Sequence, residues 1–300
     1  MRWSLLLFAL FLTSISSYAN VLEEILSEKN HLESEILFPN RNLRLYYHGF
    51  KTKCSVVVMH GLYQSPKDMI GISEDLFAAG CNVIAPLLPG HWRKDPKALY
   101  KISEADWIRT HEKAVLWAAD LGEKVSLVGH SLGGLLSFRM ALLHPDKIHR
   151  LILIAPALKL SNQTLFFSNL GSFFRIDRTD KGAKSEYEQN NKSAIAGIYV
   201  QNLIVNLFSK ARLQTYNNLQ VPFFVISTAN DETVQHDEVL NLIQQTQSKD
   251  NFILYPKGSP VFHDNIQRNR KDLDESDPLG WENPDFKNMS IQIQKFIMLD

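Results

Sequence analysis

Neither sign of charge is in excess: 32 Lys and Arg stand against 32 Asp and Glu, a formal net charge of zero over 300 residues. That leaves no basic footprint for nucleic acid, which is excluded as a partner. Cysteine is scarce, at two residues. With neither a paired C-x-x-C nor an H-E-x-x-H, metal-dependent hydrolysis has no site in the sequence, and no metal is called for. A dinucleotide fingerprint and a P-loop are also missing, which leaves redox and phosphoryl-transfer readings without a site. No fixed-period repeat or low-complexity tract occurs, and no internal run is long enough to span a bilayer. What is present is ordinary globular material, 45% hydrophobic and 21% charged, enough for one large domain or two small ones.

The N-terminus departs from that average. "MRWSLLLFALFLTSISSYAN" has one positive charge (Arg2), an apolar run from Trp3 to Leu12 and then small polar residues. Ser17 and Ala19 supply the small side chains expected before a signal-peptidase cut. Residues 1–19 therefore read as a secretory signal. The mature chain would start near Asn20, periplasmic or secreted, with no stable transmembrane segment. The alternative is an uncleaved membrane anchor, for which the run is short. Export also changes how the two cysteines read. Cys54 and Cys81 open the β-like runs "CSVVVMHG" and "CNVIAP". If these are parallel neighbours in an oxidising compartment, the sulfurs can form a disulfide; otherwise both are buried free thiols.

From about residue 44 onward, β-rich and helical stretches alternate. "RLYYHGF" and "CSVVVMHG" precede a helix that Ser65 caps, Pro66 opens and Gly80 stops. "CNVIAPLLPG" follows. The next helix starts with Ser103 and Asp106 in capping-box spacing and closes at Gly122. "KVSLVGH" and the helix "LGGLLSFRMALLH" come next. "RLILIAPA" and "VPFFVIST" are unbroken apolar runs, as in strands covered on both faces. "NFILYP" is a last strand and "FKNMSIQIQKFIML" a closing helix. This alternation predicts an α/β fold with a mostly parallel central sheet flanked by helices. Between "RLILIAPA" and "VPFFVIST" the connection is too long for one crossover helix. Within it Val200, Leu203, Ile204, Leu207, Phe208 and Ala211 recur at helical spacing. Residues 20–157 and 219–300 thus form the core. Residues 158–218 form an inserted helical cap over the carboxyl ends of the strands, or else an extra packed layer.

Gly129-His130-Ser131-Leu132-Gly133 matches G-x-S-x-G between a β run and a helix. The pattern suits a serine on a sharp strand-to-helix turn, with residues two before and two after it small enough for close packing. Such a turn aims Oγ at a helix N-terminus, where free N–H groups favour developing negative charge. A nucleophilic serine needs a base that is held by an acid, here expected in the chain order Ser, Asp or Glu, His. Of ten histidines, only His236 and His263 follow "VPFFVIST". His236 sits at a helix start close to the acid loop, whereas His263 lies in the flexible-backbone loop "YPKGSPVFHD", so His263 is the expected base. Asp231, in the turn after the strand, is the expected acid, with Glu232 and Asp237 as runners-up. The oxyanion donors would be the backbone N–H groups of Leu132 and of Leu62, the latter presented by the His60-Gly61 turn.

With these residues identified, the chain resembles the α/β-hydrolase family, in its bacterial carboxylesterase and monoacylglycerol-lipase branch, which overlaps with serine aminopeptidases. The resemblance spans about residues 44–298. It rests on "VVVMHGLYQS", "VIAPLLPGH", "VSLVGHSLGG", "LILIAPA", Asn230-Asp231 and His263. It implies an eight-stranded sheet, a Ser131–His263–Asp231 triad, an acyl-enzyme intermediate and no cofactor. Two departures stand out. Trp92 replaces a glycine common in relatives, so its indole is expected to narrow or line the cleft. The segment from Asp264 to about Phe286 is long and polar and reads as a solvated loop. The expected activity is hydrolysis of short- or medium-chain acyl esters or of monoacylglycerol- or lysolipid-like esters, the partner being that small-molecule or lipid substrate. The alternatives are an aminopeptidase or amidase, for which the cap offers Asp177, Asp180, Glu186 and Glu188, and an inactive binding protein on the same fold.

Overall fold

The computed structural model describes residues 20–165, 177–178, 192–208, 216–246, 251–273 and 281–299. The signal-like residues 1–19, and Asp180, Glu186, Glu188 and Ala211 of the insert, lie outside them. The chain begins with a helix, α1 (residues 20–35). Strands β1 (Arg44–Tyr46) and β2 (Thr52–Met59) follow. A 3-10 turn (Pro66–Met69) leads into α2 (Ile70–Ala78), and β3 (Asn82–Ala85), α3 (Glu104–Leu121), β4 (Gly122–His130), α4 (Leu132–Leu143) and β5 (Arg150–Ile154) continue the alternation. In the insert, a short antiparallel ladder of β6 (Asp177–Arg178) and β7 (Lys192–Ser193) precedes α5 (Ala194–Phe208). The chain ends with β8 (Phe223–Thr228), α6 (His236–Thr246), β9 (Phe252–Tyr255) and α7 (Phe286–Ile297).

The main sheet runs β1-β3-β2-β4-β5-β8-β9. Every pairing in it is parallel except β1 with β3. Among the described residues it has seven strands rather than the eight expected from the family. Ahead of β1, Val21, Ile25 and Leu32 recur at helical spacing and bury one face of α1 in the core. Among the described residues, the edge strand β1 is the one antiparallel member of the sheet. One hydrophobic cluster fills the side that α1, α3, α4 and α5 cover, and a second lies beneath α2 and α7.

Local chemistry explains most boundaries. Ser65 with Asp68, and Ser103 with Asp106, form reciprocal capping boxes. Gly80 ends the α2 segment with φ of 100°. β4, β5 and β8 are buried through their carboxyl halves, which is why they read as unbroken apolar runs. The β2–β3 register sets Ser55 opposite Asn82 and so brings Cys54 beside Cys81. The two are joined as a disulfide, with Cα atoms 4.8 Å apart. In α5 the expected stripe is turned inward: Val200, Leu203, Ile204 and Phe208 are buried. Tyr199 meets Trp107 of α3, and Phe208 meets Phe138 of α4.

Candidate active site

The strand β4 ends in a bend that puts Ser131 at φ 52°, ψ −114°, a conformation that costs an L-residue on the order of 1–3 kcal/mol. Its backbone is pinned on three sides. The Ser131 N–H donates to the Ile154 carbonyl (2.9 Å), and the Ser131 carbonyl accepts from the N–H groups of Leu135 and Ala157, both at 3.0 Å. The flanking glycines are sterically required. A Cβ on Gly129 would lie 2.3 Å from the Gly133 carbonyl oxygen, and one on Gly133 would lie 2.2 Å from that of Met59.

Three predicted side chains meet at this bend. Ser131 Oγ is 3.0 Å from His263 Nε2, and His263 Nδ1 is 2.7 Å from Asp231 Oδ2. With the ring neutral, the hydroxyl donates to Nε2 and Nδ1–H donates to the carboxylate. Burial by itself would lower the His263 pKa. The hydrogen bond and charge of Asp231, helped by Asp264, outweigh it and raise the pKa above the usual 6.5. Asp231 is held in turn: its Oδ1 accepts the backbone N–H groups of Thr233 (2.9 Å) and Val234 (2.8 Å). The rejected candidates lie elsewhere. His236 pairs with Ser227 through Nδ1 at 2.8 Å, and Glu232 and Asp237 face solvent.

Leu132 is the first residue of α4, and Leu62 follows Gly61 in the turn after β2. Neither N–H donates to an acceptor among the described residues, as expected of a helix N-terminus for Leu132. The Gly61 turn lies directly against Ser131: a Cβ on Gly61 would come within 3.2 Å of Ser131 Cβ. His60 fixes the turn from below. Its Nε2 accepts the Leu88 N–H (3.1 Å), which leaves Nδ1–H to donate to the Gly61 carbonyl (2.8 Å). Complete burial lowers its pKa to about 4, so it serves here as a neutral strut.

Several positioning contacts were not anticipated from the sequence. Asn230 joins the acid loop to the base loop: its Oδ1 accepts from Gly258 N–H (2.8 Å), and its Nδ2 donates to the Ser259 carbonyl (2.8 Å). The neighbouring Asp231 marks Asn230 as a loop residue, but no local pattern predicts these partners. The segment after His263 corrects an expectation. Asn265, Ile266, Gln267 and Asp272 are buried rather than solvated. Arg268 reaches back to Asp68 Oδ1 at 2.9 Å, and Arg41 binds the other oxygen, Oδ2, at 3.1 Å. Burial favours the neutral acid, but the two guanidinium groups outweigh it and hold Asp68 below the usual carboxylate range. Arg268 thus forms part of a buried ionic clamp between the segment after His263 and the turn at Ser65–Asp68, while Asp264, Arg270 and Lys271 are exposed as expected. Trp92 is a second correction. Its indole is 2% exposed, covered by Arg41 at 3.7 Å and edge-on to Phe38, so it anchors the N-terminal segment and offers no surface to the cleft. Among the described residues no group of His, Cys, Asp and Glu is arranged to hold a metal ion.

A family model described as "Serine aminopeptidase, S33" matches residues 51–264, a span that contains the elbow, the acid and the base. The chain belongs to this α/β-hydrolase family. An uncharacterized Mycobacterium tuberculosis protein is 34% identical over 103 residues, 34% of this chain and 28% of its own length. A thermostable monoacylglycerol lipase from a Bacillus species is 29% identical over 91 residues, 30% of this chain and 36% of the lipase. The chain thus matches only about a third of the length of these curated relatives. Solved structures match more fully. The monoacylglycerol lipase of Paleococcus ferrophilus superposes with a TM-score of 0.61 at 18% identity, over 85% of this chain and 97% of that one. A metagenome-derived lipolytic enzyme gives 0.64 at 18% identity, over 87% and 98%. The monoglyceride lipase of Saccharomyces cerevisiae gives 0.63 at 14% identity, over 85% and 89%. At these identities the likeness speaks for the fold. The S33 chain accordingly has the α/β-hydrolase fold.

Proposed function

We propose that this hydrolase is an exported serine esterase that cleaves carboxylic esters through an acyl-enzyme. The observation that carries the reading is the continuous hydrogen-bonded line from Ser131 through His263 to Asp231, at 3.0 and 2.7 Å, starting from a strained elbow. His263 takes the hydroxyl proton as Oγ adds to the ester carbonyl, and Asp231 holds the tautomer and stabilises the imidazolium. The Leu62 and Leu132 N–H groups receive the oxyanion. His263 then protonates the departing alcohol, and water deprotonated by the same ring attacks the acyl-enzyme and releases the acid. Every proton is returned without a cofactor. The partial likeness to monoacylglycerol lipases supports a short- or medium-chain acyl or monoacylglycerol-like substrate. The signal-like N-terminus and the Cys54–Cys81 disulfide support export.

Mass spectrometry after fluorophosphonate treatment tests the chemistry. The expected result is one adduct on Ser131, abolished in Ser131→Ala and suppressed in His263→Ala, with rates down about 10³–10⁶-fold in either variant. Absence of an adduct on folded protein would overturn the esterase reading. Rates on p-nitrophenyl esters of graded chain length against aminoacyl amides decide between ester and peptide-like substrates.

A further inference from the structure

Extending the esterase reading, we propose that His130 is a positioning residue that holds the base by its backbone, its Nε2–H donating to the carbonyl oxygen of His263. The residue is 1% exposed, and the two imidazole rings lie 5.0 Å apart. His130 Nε2 is 3.0 Å from the His263 carbonyl oxygen, and His130 Nδ1 is 2.8 Å from Gln64 Oε1.

Counting protons assigns the tautomer. Burial keeps the His130 ring neutral, and a neutral imidazole has one N–H for the two oxygens. Gln64 Oε1 already accepts the Gly61 N–H at 2.9 Å. The His263 carbonyl has no other donor among the described residues, and leaving a buried carbonyl unpaired costs about 1–3 kcal/mol. The proton therefore belongs on Nε2. Gln64 Oε1 stays on the Gly61 N–H, and the single proton of the ring goes to the oxygen that has no other donor among the described residues.

The consequence follows from chain position. His130 and Ser131 are consecutive at the rigid end of β4, between β2 and β5 in the sheet. The same strand end thus sets both the nucleophilic Oγ and the backbone of the residue that must deprotonate it. The reacting pair keeps its separation even if the 258–268 loop shifts. A misplacement of about 1 Å at such a pair costs on the order of 10²-fold in rate.

Two substitutions separate this role from mere packing. Glutamine places its terminal amide near the site of Nε2, whereas asparagine reaches only the site of Nδ1. The full chain would be assayed for kcat and KM on a p-nitrophenyl ester, with the His263 ring titrated by NMR in each variant. His130→Asn is expected to lower kcat about 10–100-fold at little-changed KM and to move the His263 titration as its bond to Asp231 loosens. His130→Gln should restore both, and it reads the proposal by itself if His130→Asn does not fold. Gln64→Met should leave the His263 titration in place. The proposal is overturned if His130→Asn stays within about twofold of wild-type kcat with His263 unmoved. Equal losses in the Gln and Asn variants, or a Gln64→Met shift as large as that of His130→Asn, would also overturn it. If the wild-type chain hydrolyses no ester, the esterase reading fails, and the His263 titrations alone decide the positioning role.

Discussion

Replacing Gly133 by alanine tests the elbow with a single methyl group. The added carbon would sit 2.2 Å from the Met59 carbonyl oxygen, 2.6 Å from its carbon and 2.7 Å from the His60 carbonyl oxygen, where ordinary contact begins at 3.4 Å. All three neighbours are backbone, and Met59 is locked in register opposite Gly129 of β4. The end of β2 cannot yield without breaking the ladder, so α4 must retreat by about 1 Å. That movement carries Ser131 and the Leu132 N–H away from His263 and the Gly61 turn together. Overpacking of this kind costs about 1–3 kcal/mol, and the misalignment lowers turnover by on the order of 10²-fold. Urea unfolding gives the first quantity, and the rate of fluorophosphonate labelling at Ser131 gives the second without assuming a substrate. A variant within about 0.5 kcal/mol of wild type that labels within about threefold of its rate would refute the argument that close strand–helix packing requires glycine here.

Activity should fall at low pH as His263 takes a proton, with a midpoint above 6.5 because Asp231 raises its pKa on balance. In Asp231→Asn the limb of the pH–rate profile should move to lower pH while kcat drops, and an unmoved limb would count against the pairing. The same linkage gives stability that is full below 6.5 and lost as pH rises through the raised value, measurable by urea unfolding across that range. Replacing Cys54 and Cys81 together by alanine opens a link between residues 27 apart, and chain entropy puts the loss at about 3.5 kcal/mol. Denaturant midpoints of the variant and of oxidised wild type check this. Arg268→Leu removes one of two guanidinium groups from the buried Asp68, which keeps Arg41 and the Ser65 N–H and hydroxyl, and should destabilise by about 1.5–3 kcal/mol in thermal unfolding.

Much of the site could be read from sequence because its demands are local. The turn at Ser131 needs small residues at fixed offsets, so Gly129 and Gly133 mark it. Asp231 must follow a buried strand directly, and unbroken apolar runs mark such strands. His263 was reached by elimination, since histidines are few and chain order restricts the choice. The capping boxes at Ser65 and Ser103 are likewise short-range patterns. The burial of Trp92 is not legible in the sequence because it depends on Arg41, some fifty residues earlier in the chain. The polar composition of 264–273 suggested solvent because charge in a sequence does not reveal its partner, here Asp68. The helix 20–35 lies before the first family-like motif, and only the structure shows that Val21, Ile25 and Leu32 pack it into the core.

By itself, then, the sequence determined the alternation of strands and helices, the G-x-S-x-G turn and the choice of Ser131, Asp231 and His263 as the three side chains that meet. Each of these depends on contacts within a few residues or on strict chain order. Only the tertiary structure decided that Cys54 meets Cys81, that Asn230 joins the acid and base loops, that Arg41 and Arg268 share Asp68, and that His130 reaches the backbone of His263. Those pairings join residues far apart in the chain, and their geometry exists only once the sheet has set the distance between its loops.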